Sequence, residues 1–331
     1  MKIVAALALS AILIVGCFPI LREKNGKFLS QVLNLEEFNS EFDDYNSDIA
    51  SNKSGDTYLL FSSKREKKNL LNLVYFKAEF TYDGMLGLKK TSRPNIGYHL
   101  EYYPLPWLIQ AANGNFNVYG PNTIPLSTYY NYYTPSKDIF LFYADDADGD
   151  MEIKYVRQAD GSTHQPEKFN ILNSSADDAY PTFSRSGDKI LFCSNRDGSF
   201  DIYEVTLPLE QPLVMNAEKL INPASFTIRK VEELSGPHQD KCPSLIGDKL
   251  VFVSDRPGGF GGFDIYESTF KSGRWSTPVN LGSRINTGHN EYRPIGIDAQ
   301  SFNYNVMVFS SDRPGGKGGY DLYMTGLDEQ R

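Results

Sequence analysis

The chain writes nearly the same fifteen residues twice, as SDRPGGFGGFDIYES at 254–268 and SDRPGGKGGYDLYMT at 311–325. An internal copy at this distance constrains the fold more than any single motif, because periods of tens of residues mark stacked copies of one structural unit. The unit is wider than the phrase. YPTFSRSGDKILFCSNRDGSFDIYEV, from Tyr180 to Val205, reads as a short strand, a Ser-Gly-Asp turn, an apolar strand, a polar glycine turn and a third strand. CPSLIGDKLVFVSDRPGGFGGFDIYES from Cys242 and RPIGIDAQSFNYNVMVFSSDRPGGKGGYDLYMT from Arg293 repeat that order.

Two degenerate copies lie upstream, KDIFLFYADDADGDMEIKYV and SGDTYLLFSSKREKKNLLNLVYF. Aligned on Arg65, Asp146, Arg196, Arg256 and Arg313, the five units are spaced by 81, 50, 60 and 57 residues. No amphipathic helix separates them, and a fourth strand is expected between units, in stretches such as RWSTPVNLGSRIN. Four strands per repeat in radial array make a β-propeller. The fifth unit runs out after its third strand, so the segment from Phe28 to Leu35 is expected to complete that blade, close the ring and remove an exposed edge. The sequence thus predicts an all-β, five-bladed β-propeller of four-stranded antiparallel blades over residues 28–331. Blade cores fall at about 45–80, 135–158, 179–207, 242–270 and 292–325, with a Tyr-rich insertion at about 82–134.

The N-terminus stands apart from this domain. Met1-Lys2 gives a positive start, an apolar run follows, and Ile14-Val15-Gly16-Cys17 places small residues before a cysteine. This reads as a signal peptide over 1–17. IVGC resembles a bacterial lipoprotein lipobox, which implies that Cys17 carries the lipid and that residues 18–27 form a tether. No Asp follows Cys17, which by the same resemblance implies an outer-membrane location, on the periplasmic face. The remaining Cys193 and Cys242 form an even pair in an oxidising compartment, where a disulfide and two buried thiols are both open.

GRWSTPVNLGSRINTGHNEYRPIG (273–296) followed by MVFSSDRPGGKGGYDLY resembles the WD40-like repeats of TolB-type propellers, in the version that accompanies OmpA-like domains in Bacteroidota envelope proteins. The resemblance is strong over about 165–325 and weak over 40–160. It implies an envelope scaffold. No segment resembling a peptidoglycan-binding module follows the repeats, so an anchoring role is not expected from it.

Gly258, Gly259, Gly261 and Gly262 join two strands rather than opening a helix, so they read as a hairpin and not as a phosphate cradle. Arg196, Arg256 and Arg313 recur with Asp201, Asp264 and Asp321, the pattern of residues that tie each blade's turn or its neighbour. Tyr203, Tyr266 and Tyr323 recur as packing residues. Asp146, Asp148 and Asp150 alternate as in an oxygen-rich loop suited to Ca²⁺, although the sixth-position glycine and distant Glu of an EF-hand are missing; a solvated turn is the alternative, and no other cofactor is implied.

The four histidines show no ligand spacing, and no GxSxG elbow occurs. A net charge of −8 argues against nucleic acid as a partner. The stretch from Tyr98 to Tyr133 is exceptional, with Tyr102, Tyr103, Trp107, Tyr129, Tyr130, Tyr132 and Tyr133 as candidate binding residues, or as rings that pack an irregular blade. These readings lead to the expectation of a non-catalytic, lipid-anchored propeller that binds an envelope protein or glycan. The competing expectation is a glycan-active hydrolase with carboxylates at the funnel.

Overall fold

The structure, a computed structural model, describes residues 29–51, 57–83, 87–93, 104–125, 139–159, 162–184, 187–208, 217–246, 248–297, 302 and 304–328. Cys17, Tyr102, Tyr103, Tyr129, Tyr130, Tyr132 and Tyr133 lie outside the described residues.

Five small antiparallel sheets form a ring, the predicted five-bladed β-propeller. Strand β1 (Leu33–Asn34) belongs to the last blade. The first blade is β2 (Asp44–Ser51), β3 (Thr57–Lys67), β4 (Leu70–Asp83) and β5 (Gly87–Arg93). The second is β6 (Val118–Pro125), β7 (Ile139–Asp145) and β8 (Glu152–Ala159), edged by β9 (Ser162–Thr163) and β10 (Glu167–Lys168). The third is β11 (Asp178–Phe183), β12 (Lys189–Ser194), β13 (Asp201–Thr206) and β14 (Thr227–Lys230). The fourth is β15 (Asp240–Ile246), β16 (Lys249–Ser254) and β17 (Asp264–Lys271), edged by β18 (Arg274–Trp275) and β19 (Val279–Asn280). The fifth is β20 (Glu291–Ile297), β21 (Asn305–Ser311) and β22 (Asp321–Asp328).

The ring closes as the sequence predicts. Leu33 pairs with Met324 and Asn34 with Tyr323, so β1 supplies the outer strand that the fifth repeat lacks. The second strands of the blades are apolar without alternation because neighbouring blades cover both faces: Ile139–Asp145 is buried at every position. Phe142, Phe169 and Phe192 are fully buried or nearly so in one such interface, between the second and third blades.

The Tyr-rich stretch is not one insertion. It contains β5 of the first blade, helix α1 (Leu105–Ala112) and β6, the inner strand of the second blade. Repeat arithmetic missed β6 because that strand opens on Val118 where its counterparts open on Asp44, Asp178, Asp240 and Glu291. Helix α1 buries Leu105, Leu108, Ile109 and Ala112 in a core shared by blades one and two, and leaves Trp107 44% exposed.

Every inner strand carries a bulge at its third residue. Asn46, Gly120, Tyr180, Cys242 and Arg293 all have φ between +46° and +59°, and the pairing register shifts at each. For residues such as Tyr180 this backbone costs about 1–3 kcal/mol, so the surrounding ring must hold it.

Candidate functional site

The repeated arginine is a tie across each blade. Arg196 donates from Nε to Ser194 Oγ at 2.9 Å and from Nη2 to the Leu172 carbonyl at 2.6 Å. The same Nη2 stands 2.7 Å from Asp178. Arg65, Arg256 and Arg313 repeat this with Asp44, Asp240 and Glu291 at 2.7, 2.6 and 2.9 Å. The guanidinium also lies flat against its own blade: Arg196 is 5.2 Å from the Phe192 ring and 4.8 Å from that of Tyr203, and Arg256 and Arg313 sit likewise over Tyr266 and Tyr323.

The arginine thus ties a backbone carbonyl, and its charged partner is not the downstream aspartate. It is the acid that opens the inner strand, because antiparallel pairing puts Asp178 opposite Ser194, two residues before Arg196. Asp264 and Asp321 instead close the glycine turn, accepting backbone N–H groups of Phe260 and Gly261, and of Lys317 and Gly318. Asp201 has a different partner, the Lys230 ammonium at 2.5 Å.

The second blade departs from this scheme at both ends. Ala147, not Asp146, occupies the arginine position, since its N–H bonds Asp145 as the Arg196 N–H bonds Ser194. Val118 stands where the other blades carry the acid, opposite Asp145. Lys154 makes the replacement tie to Asp145 at 2.7 Å.

At the end of the ring where the inner strands begin, a cavity of about 430 Å³ opens on the axis. Tyr45, Tyr119, Lys241 and Tyr292 face it from the second position of their inner strands. Met151, Phe200, Phe263 and Tyr320 face it from the residue at the end of each glycine turn. The repeated phrase is thus a building block whose last residue also lines the funnel. Its signal was legible in SFDIY, GFDIY and GYDLY, where an aromatic precedes each third strand. The rings form one contiguous wall: Tyr45 stacks on Tyr320 at 5.2 Å, and Tyr292 meets Phe263 edge-on at 5.5 Å and Tyr180 at 6.2 Å.

A polar rim fixes those rings across blade boundaries. Asp177 accepts the Met151 N–H at 2.9 Å, Gln239 that of Phe200 at 3.3 Å, Asn290 that of Phe263 at 3.0 Å and Asp43 that of Tyr320 at 3.2 Å. Each rim residue is held in turn within its own blade. Asp43 pairs with Lys64 at 2.6 Å, Asp177 with Asn195 at 2.8 Å and Asn290 with Asp312 at 2.8 Å. Asp146 takes the Asn117 amide at 2.7 Å and the Tyr119 hydroxyl at 3.2 Å.

Burial pushes the Tyr320 hydroxyl up to about 12, with the charges of Asp312 and Asp43 adding to it. Burial and Asp146 raise Tyr119 in the same direction. The funnel phenols therefore stay neutral and can donate hydrogen bonds at any physiological pH.

Beneath the aromatic floor the axis is filled. Arg293, 1% exposed, donates to the carbonyls of Pro243 and Pro121 at 3.5 and 3.1 Å, and its guanidinium lies 5.3 Å from the Tyr180 ring. A single side chain thereby stitches the inner strands of four blades, a role that nothing local in its sequence announces.

The acidic loop does not gather a cation site. Asp148 makes ion pairs with Lys168 and Lys154 at 3.2 and 3.5 Å, while Asp146 turns to Asn117 and Tyr119. Among the described residues no group of three or more metal-ligating side chains converges. Cys193 and Cys242 are both buried free thiols rather than a disulfide.

No protein-family model matches the chain, and no curated protein matches it in sequence. Solved structures do match it in fold. An endo-arabinase from Bacteroides thetaiotaomicron superposes with a TM-score of 0.53 at 13% identity, covering 92% of this chain and 98% of its own. An α-L-arabinofuranosidase from Lactobacillus brevis gives 0.49 at 9% identity, covering 90% and 92%. A putative TolB from Agrobacterium tumefaciens gives 0.43 at 12%, covering 89% and 96%.

The first of these overturns the expectation of a non-catalytic binding or scaffold protein, and with it the expectation that the chain is not an enzyme. A glycan hydrolase is built on the same five-bladed ring over almost its whole length. The lack of a local catalytic motif would argue against an enzyme in a fold whose site is built from one segment. In a propeller it does not, because the carboxylates that meet at the axis come from different blades, tens of residues apart.

Proposed function

We propose that the protein is a glycan-active hydrolase whose substrate occupies the axial funnel. The observation that carries this reading is the funnel itself, an open pocket walled by tyrosine and phenylalanine rings with the Asp177 carboxylate among its lining residues. Aromatic faces suit the C–H faces of sugar rings, and few polar groups are needed to orient them. The fold it shares with an endo-arabinase adds support.

Cleavage of a glycosidic bond needs two carboxyl groups flanking it, one to protonate the leaving oxygen and one to activate water or attack the sugar. We assign the pair to Asp146 and Asp177. They come from the neighbouring second and third blades, and both charges act on the Tyr119 hydroxyl at the funnel wall. Their hydrogen bonds to Asn117 and Asn195 fix their orientation.

Release of reducing ends from arabinan, xylan, galactan and polygalacturonate tests the reading. Asp146→Asn and Asp177→Asn should each lower turnover by about 100-fold or more while circular dichroism stays unchanged. No release from any of the glycans, or full activity in both variants, would overturn it.

We also place the protein on the outer membrane through a lipid on Cys17, on the periplasmic face, with the glycan as its partner there. The Ile14-Val15-Gly16-Cys17 sequence supports this. Cys17→Ser should move the protein from the membrane to the soluble fraction; an unchanged membrane fraction would refute the anchor.

A further inference from the structure

We propose that Lys241 makes the funnel selective for a glycan bearing an anionic substituent, a uronate carboxylate or a sulfate ester. The inference rests on the reading of the funnel as a glycan site and adds the class of glycan.

Lys241 occupies the second position of its inner strand, where three other blades place Tyr45, Tyr119 and Tyr292. Its ammonium lies 4.2 Å from the Phe200 ring centroid and 5.4 Å from that of Phe263, so two aromatic faces hold it at the cavity wall. It is the one cation lining the cavity among the described residues. Other lysines of the blades are neutralised by a carboxylate: Lys64 by Asp43, Lys154 by Asp145, Lys189 by Glu204 and Lys230 by Asp201. Lys241 faces none.

Cation–π contacts position an ammonium without cancelling its charge, so an incoming anion meets it unpaired. The flanking Phe200 and Phe263 rings lower the local dielectric, which strengthens that attraction relative to open water. A compact ammonium on a flexible stem suits a single carboxylate or sulfate oxygen. The rim on this side presents the amides of Gln239 and Asn290 from the fourth and fifth blades, and Asp177, the carboxylate lining the cavity, has its oxygens turned to the Met151 N–H and the Asn195 amide. The chain carries a net charge of −8, so its overall field does not draw an anionic glycan in. Selectivity for one would depend on this side chain.

Isothermal titration of the full-length protein with oligogalacturonate, a sulfated galactan oligosaccharide and neutral arabino-oligosaccharide tests the inference. At least one anionic ligand should bind more tightly than the neutral one, less so as salt rises, and the two anionic arms separate carboxylate from sulfate. Lys241→Gln should weaken the anionic ligand by about tenfold or more and by more than it weakens the neutral one, and Lys241→Arg should retain it. Binding without preference for either anion, or a Lys241→Gln variant that is folded and binds as the parent does, would overturn it. Lys241-dependent binding in a protein that cleaves no glycan would sink the hydrolase reading and leave this inference standing. Cleavage of a glycan by a protein whose anionic-ligand binding Lys241→Gln leaves unchanged would do the reverse.

Discussion

Arg196 Nη2 stands 2.7 Å from an Asp178 carboxylate that is fully buried, and the same nitrogen holds the Leu172 carbonyl in the turn leading into the blade. A buried pair of this kind is costly to break from one side, because the charge left behind has lost both its partner and its water. Arg196→Ala should therefore cost about 3–5 kcal/mol in urea unfolding. The second blade shows the alternative, with Val118 and Ala147 at the two positions. The double variant Arg196→Ala/Asp178→Val should recover much of the loss. A double variant no more stable than the single one would show that the guanidinium's packing on Phe192 and Tyr203 dominates.

Gly120 is the glycine among the five bulge residues, at φ +54°. A Cβ there would run into the Tyr180 ring. Gly120→Ala meets both the left-handed backbone and this collision, and should destabilise by about 2 kcal/mol or more in the same assay. Gly198, at φ +110° in an exposed turn with open space around it, should cost less when changed to Asn, a residue that tolerates positive φ.

Burial raises the carboxyls of Asp48, Asp240, Glu291 and Asp321, against the lowering effect of Arg256 on Asp240 and of the Thr287 and Arg313 bonds on Glu291. A raised carboxyl binds its proton more tightly in the folded state than in the unfolded chain. Its contribution to stability is complete below the unfolded value of about 4 and is lost as pH rises through the folded value. The urea midpoint should hold or rise between pH 7 and pH 5. Asp321→Asn keeps an oxygen for the Lys317 and Gly318 N–H groups and removes the titration, so it should flatten the profile. A midpoint that falls steadily with acidification in the parent would contradict this.

Burial, with Cys242 adding to it, raises the Cys193 thiol, and burial raises Cys242 to about 11. In a Cys17→Ser protein neither thiol should react with an aromatic disulfide reagent at pH 8, and both should react in guanidinium. Rapid native reaction of either would show that the axis opens readily.

The propeller and its closure were legible in the sequence because each blade is a run of hairpins. Strand, turn and strand lie within about thirty residues, and apolar runs with glycine turns specify that local pairing. The same reading placed the outer strand of the last blade within Phe28 to Leu35, and the structure forms it at Leu33 and Asn34. It found the recurring arginines and the downstream Asp201, Asp264 and Asp321 as ties of the turns, but not the acids that the arginines meet. The correct partners, Asp178, Asp240 and Glu291, sit upstream, and an acid two or three residues before the Tyr-Pro, Cys-Pro and Arg-Pro pairs was the available signal.

Of the funnel, only the aromatic before the third strand was legible, in Phe200, Phe263 and Tyr320. Tyr45, Tyr119, Phe200, Lys241 and Tyr292 come from five blades and from positions that look alike in each repeat. A blade's sequence specifies which residue faces the axis only through the bulge at its inner strand, and which neighbours that residue meets only through ring closure. The repeated phrase SDRPGG thus determined the unit and its count. Tertiary structure decided that the ring's centre is an aromatic pocket with one unpaired ammonium, because contacts across the axis join residues that no local pairing brings together.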